Sequence, residues 1–135
     1  MGIRHFMRIA LLFLACLAPA AQAEADFGKL YRLYSQAGGR DFSPDRGKDF
    51  WLKGRSGEGG EAINCATCHG TDLRKPGRHN KSGKAIEPMA PSVNKDRYTD
   101  IEKVEKWFLR NCKQVLGREC TAQEKGDVLR YLSQS

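Results

Sequence analysis

The chain has 135 residues, with 23 Lys+Arg against 16 Asp+Glu, 3 His and 5 Cys. That length holds one domain, and 40% hydrophobic with 29% charged residues is a globular balance that excludes a disordered tail or a polytopic membrane protein. The modest basic excess comes without an obvious aromatic–basic stripe, which argues against a nucleic-acid partner.

The apolar residues crowd into one early block. Ile9 to Ala21 reads I-A-L-L-F-L-A-C-L-A-P-A-A, after Arg4 and Arg8 and before Ala21-Gln22-Ala23. A basic start, an apolar stretch and a small-x-small end predict a Sec-type secretory signal peptide over residues 1–23, cleaved after Ala23. The stretch is too short to span a bilayer. A lipoprotein anchor on Cys16 is the rival reading, weakened by the poor lead-in Phe13-Leu14-Ala15; Arg4 and Arg8 are not adjacent, so twin-arginine export is not indicated. The expected product is a periplasmic domain over residues 24–135. It keeps 21 basic and 16 acidic residues, Cys65, Cys68, Cys112 and Cys120, and His69 and His79. Such a domain has few large apolar side chains for a stable core. Something else must fill its middle.

Along this domain, Phe27, Leu30, Tyr31 and Tyr34 recur at helical spacing within Ala25 to Ala37, and Gly38-Gly39 stops the pattern. Ser43-Pro44-Asp45 can start a second short helix carrying Phe50, Trp51 and Leu52. Gly54 to Gly60 reads as a flexible loop; lacking a following Gly-Lys-Ser/Thr, it is no phosphate loop.

Next comes Cys65-Ala66-Thr67-Cys68-His69, a C-x-x-C-H sequence. Two thiols one helical turn apart can add to the two vinyl groups of a haem while the adjacent imidazole reaches the iron. Covalent haem c is therefore predicted, with Cys65 and Cys68 as thioether anchors and His69 as proximal ligand. A zinc site from Cys65, Cys68, His69 and His79 and a Cys65–Cys68 redox disulfide are the alternatives. If Cys65 and Cys68 hold haem, only a Cys112–Cys120 disulfide remains; closing that short loop is worth ~2 to 3 kcal/mol.

Thr71 to Val93 reads as a long irregular loop. Its basic run of Arg74, Lys75, Arg78, Lys81 and Lys84 is either a solvated face or a patch that docks an acidic electron donor. Thr99-x-x-Glu102 and Thr121-x-x-Glu124 predict capping boxes for two closing helices. Ile101, Val104, Trp107 and Phe108 form the apolar stripe of one; Val128, Leu129, Tyr131 and Leu132 form that of the other. No credible strand is seen, so the predicted fold class is all-α, helices wrapped around one haem.

Function turns on the iron position opposite His69, which electron carriers fill with Met or His and gas binders leave open or weakly held. Met89, flanked by Pro88 and Pro91, is the conventional candidate, although it follows His69 closely. His79, Lys81 and Lys84 read as loop side chains. Asn111 is the anomaly: at ~100° per residue it falls inside the apolar stripe of the Ile101 helix. A polar amide there needs a partner. It either caps its own helix end, bonds a carbonyl near Cys112, or lies near the iron.

The stretch F-L-R-N-C-K-Q-V-L-G-R-E-C (Phe108 to Cys120), with C-A-T-C-H and M-A-P-S-V-N (Met89 to Asn94), resembles the small high-spin class I cytochromes c of the sphaeroides haem protein type, to which cytochrome c″ is related. The likeness runs over essentially the whole exported domain. It implies that Asn111, immediately before the disulfide cysteine, is the distal iron ligand, released on reduction. It further implies binding of oxygen, nitric oxide or carbon monoxide, and a dihaem cytochrome c and a membrane b-type cytochrome as electron donors. A monomer is expected. Two other functions stay open: a plain electron carrier with Met89 permanently on the iron, or a haem enzyme acting on nitric oxide or peroxide.

Overall fold

The computed structural model of the chain describes residues 25–56 and 60–135. The signal peptide expected over residues 1–23, Cys16 included, lies outside the described residues. Among those described, no helix is long and apolar enough to cross a membrane.

Helix α1 spans Phe27–Gln36; Asp26 caps it by accepting from the Lys29 amide at 2.9 Å, and it buries Leu30 and Tyr34. Helix α2 spans Pro44–Leu52, with Ser43 as N-cap and proline in its first turn, where the missing N–H costs nothing. It buries Trp51. Helix α5, Ala122–Leu132, packs against both α1 and α2 and contributes Val128, Leu129 and Leu132 to the core. The α2–α5 approach is close because position 47 is glycine: a Cβ there would collide with the Asp127 carbonyl. Asp127 ties the same junction. Its carboxylate, buried in the core, accepts from the Ser43 amide at 2.7 Å, Arg46 Nε at 2.9 Å and Gln123 Nε2 at 3.1 Å.

The middle of the chain departs from the expectation of no strands. Arg55–Ser56 (β1) pairs antiparallel with Ala62–Ile63 (β2), and later in the chain comes a second antiparallel pair, Gly77–Arg78 (β3) with Ala85–Ile86 (β4). Strands of two residues carry no readable alternation, and the surrounding glycines and charges mask them. The fold remains helix-rich, since the ribbons only brace loops. Between them, α3 covers Cys65–His69, started by a reciprocal capping box of Asn64 and Thr67.

Helix α4 runs over Ile101–Leu116. Its cap is Asp100, accepting from the Lys103 amide at 3.1 Å; Thr99 instead donates to the Asp96 carbonyl, so the box expected at Thr99 and Glu102 does not form. Aspartate one position later is an equally good cap, and the first competent side chain next to the helical run takes the position. The Thr121–Glu124 box of α5 is present in both directions. Trp107, placed on the apolar stripe from sequence, is 44% exposed. It sits on the edge of that stripe, turned toward solvent.

Candidate functional site

The short α3 presents both thiols and the imidazole from a single turn. Cys65 and Cys68 are free of one another, each partly buried. Burial pushes the Cys65 thiol up to about 11, so it is fully protonated at neutral pH. The Cys68 sulfur lies 3.4 Å from the Asn80 amide. No group of three or more His, Cys, Asp or Glu side chains gathers into a metal cage among the described residues, so the zinc alternative has no geometry to support it. His79 is instead bound into the tip of the β3–β4 ribbon: its Nδ1 accepts from the Ser82 amide at 3.1 Å.

His69 is held by neighbours that sequence reasoning missed. The Trp51 ring sits 5.4 Å from the imidazole, and Trp51 Nε1 donates to the Gly70 carbonyl at 3.3 Å, pinning the end of α3. Glycine at position 77 lets β3 cross directly over the Cys68 carbonyl; any side chain would clash. Burial, reinforced by the charge of Arg97, lowers the His69 pKa to about 4. The ring is therefore neutral at pH 7, as an iron ligand must be. Its Nδ1 is buried without a hydrogen-bond partner. A buried imidazole so placed is costly unless a further group engages the ring.

Met89 is positioned by the segment that follows His69. Its amide donates to the Leu73 carbonyl at 2.9 Å, as does that of Ala90, and its own carbonyl accepts from Tyr98 Oη at 2.7 Å. Arg97 binds the adjacent Pro88 and Glu87 carbonyls at 3.0 and 2.7 Å. Met89 is thus locked beside the residues just after the proximal histidine and packs on the apolar core.

Asn111 stands in mid-helix on α4, next to the buried Cys112, which is bonded to Cys120 across a separation of 8. Its amide makes no hydrogen bond among the described residues, so neither expected local use, capping or bonding a carbonyl near Cys112, occurs. Val104, Phe108 and Val115 lie on the same side of α4 and are only partly buried; of the whole helix, Cys112 alone is buried. Gln114, one turn beyond Asn111, faces Ile63, Asn80 and Lys81 across a small pocket. The pocket thus lies between α4 and the segment that bears Cys65 and Cys68. Beside Phe108 is a network invisible in sequence: Tyr34 donates to Glu105, and Lys125 Nζ reaches the same carboxylate at 2.7 Å.

Two thiols and a neutral buried imidazole with an unsatisfied nitrogen, all presented by one helical turn, fit a haem, and together they define a small cytochrome c carrying one haem c. The comparisons with known proteins agree. A family model described as a domain of unknown function, DUF1924, matches residues 37–132. Cytochrome c-type protein SHP of Cereibacter sphaeroides is 37% identical over 126 residues, 93% of this chain and 97% of that protein. The structure of oxidised SHP, described as an oxygen-binding cytochrome c, superposes with a TM-score of 0.75 at 38% identity, covering 83% of this chain and 99% of that one. The solution structure of cytochrome c″ from Methylophilus methylotrophus, described in terms of haem-ligand detachment, gives 0.71 at 32% identity over 81% and 93%. The chain belongs to this family of SHP-type cytochromes c.

Proposed function

We propose that the chain is a periplasmic monohaem cytochrome c, high-spin when reduced, that binds oxygen, nitric oxide or carbon monoxide at a site opened by reduction. Cys65 and Cys68 anchor the haem through thioethers, His69 is the proximal ligand and Asn111 the releasable distal one. The observation that carries the reading is Asn111 itself: a mid-helix side-chain amide on an apolar face, without a hydrogen-bond partner among the described residues, backed by the Cys112–Cys120 disulfide. The SHP relative is described as oxygen-binding and cytochrome c″ in terms of haem-ligand detachment, which supports the same reading.

When bound, haem c would supply a one-electron ferric–ferrous couple and an iron able to take a small diatomic ligand. The protein's part is positional. Burial and Arg97 keep the His69 ring neutral and available. A neutral amide is a weak ligand, and the Asn111 side chain would suit harder ferric iron better than ferrous iron, which is the chemistry a releasable ligand needs. Displaced, the same amide has an NH2 donor for a diatomic ligand carrying partial negative charge. The electron donors are a dihaem cytochrome c and a membrane b-type cytochrome; export relies on the signal peptide at residues 1–23.

The competing carrier reading needs Met89 to reach the face away from His69, and its tether to Leu73 and Tyr98 opposes that. The enzymatic reading is separated by turnover assays with a partner cytochrome present: failure of nitric oxide and peroxide to be consumed catalytically would remove it. The deciding experiment is the absorption spectrum of the reduced protein before and after carbon monoxide. A broad high-spin spectrum that changes at once supports an open distal site. A sharp low-spin spectrum indifferent to carbon monoxide overturns it in favour of Met89.

A further inference from the structure

The outer face of α4 carries an arrangement that the haem site does not use. At ~100° per residue, Lys103, Lys106, Trp107, Arg110 and Gln114 fall on one side of the helix. The first four are exposed, Trp107 at 44%, and the Arg110 guanidinium lies 5.5 Å from the centre of the Trp107 ring. This is an aromatic–basic stripe that linear inspection of the sequence overlooks, because helical spacing separates its members. Lys103, Lys106 and Arg110 have no acidic partner among the described residues. Glu102, the acid nearest on the helix, pairs with none of them, and Glu105 is held by Tyr34 and Lys125. The loop run after the haem motif is different. Lys75 pairs with Asp72 at 3.6 Å, and Arg78 is bound to the Gly83 carbonyl at 2.7 Å.

The face also adjoins the site. Trp107 and Asn111 are one turn apart, and Gln114 lines the pocket beside Asn80. Exposed Trp and Arg are the residue types that dominate binding energy at protein interfaces, and unpaired cations around them favour an acidic partner. A single aromatic is too few for single-stranded nucleic acid, whose binders stack successive bases on several rings.

We propose that Lys103, Lys106, Trp107 and Arg110 form the docking surface for an acidic electron-donor protein, with Trp107 as anchor and the three cations steering approach beside Asn111. This rests on the reading that electrons arrive from a partner protein. In the exchange one electron leaves the donor, oxidising it by one equivalent, and is taken up at the haem iron, ferric to ferrous; no bond is made or broken on the donor.

An acidic two-iron ferredoxin serves as the probe. Titrating it into the isotope-labelled ferric holoprotein should shift the backbone amides of 103–110 and 114. In stopped flow, K106E/R110E should slow reduction by ferredoxin roughly tenfold at low ionic strength, a difference that fades as salt rises. W107S should slow it without changing the salt slope. Both variants should be reduced by neutral photoreduced lumiflavin at the wild-type rate. A ferredoxin rate unaffected by K106E/R110E, shifts confined to residues 74–84, or an equal loss with lumiflavin overturns the proposal. So does binding that appears only with vesicles rich in phosphatidylglycerol. The ferric protein accepts electrons whether or not Asn111 leaves, so failure of the gas-binding reading would leave this test intact.

Discussion

At the scale of single residues, two positions of the proposed site are set apart by what they lack. His69 lacks charge, because burial and the nearby Arg97 hold its pKa at about 4. The Asn111 side chain has no hydrogen-bond partner among the described residues, although it stands within α4. Replacing Asn111 by Ala should leave the fold intact, since no bond within the protein is lost. The ferric spectrum should shift to that of a five-coordinate or water-bound iron. An unchanged ferric spectrum would remove Asn111 from the ligand set. Gly47 is a purely structural counterpart: a methyl group there meets the Asp127 carbonyl where α2 crosses α5. Gly47→Ala should cost ~3 kcal/mol by overpacking, measurable as a drop in Tm of the holoprotein.

The elements matter most at α4 and its return. The Cys112–Cys120 bond closes the turn into α5 over 8 residues and ties down α4 at the residue after Asn111. Replacing both cysteines by serine should lower stability by ~2 to 3 kcal/mol in chemical denaturation. It should also broaden the ferric haem spectrum if the disulfide aims the amide. The start of α5 brings a pH dependence. A hydrogen bond from Arg118, with another from the Thr121 amide, holds the Glu124 carboxyl below its usual range against the opposing effect of burial. A carboxyl depressed by folding contributes stability above its unfolded pKa of about 4.3, and that contribution is lost as pH falls through the lower folded value. Glu124→Gln should therefore melt lower at pH 7 and lose less than the wild type between pH 5 and pH 3. Equal acid sensitivity of the two proteins would contradict this.

Across the whole molecule, α1, α2 and α5 make a conventional helical core around Leu30, Trp51 and Leu129, against which Ile101, Val104 and Phe108 of α4 pack. Much of this was legible in the chain. The helical spacing of Phe27, Leu30 and Tyr34, the Ser43-Pro44 start and the Thr121–Glu124 box each predicted an element that is present, because capping and periodicity are local. The shift of the α4 cap from Thr99 to Asp100 and the exposure of Trp107 were not legible. Both depend on a rotation or a register of one residue, which tertiary packing sets. The two short ribbons escaped for lack of any periodic signal.

The candidate site divides along the same line. C-A-T-C-H specifies its chemistry within five contiguous residues, and the spacing of thiols and imidazole needs no distant partner to be read. Asn111 stood out as a polar residue on an apolar stripe, yet sequence left it divided between a local cap and the haem. Local pattern thus determined the class of fold, the haem-bearing segment and the candidate ligands. Tertiary structure alone decided the rest: Met89 tethered beside Leu73, Arg97 near His69, Tyr34 and Lys125 joined at Glu105, and the unpaired cations around Trp107. Each of these is a contact between segments far apart in the chain or a choice of helix face, and neither is encoded in the residues nearest by.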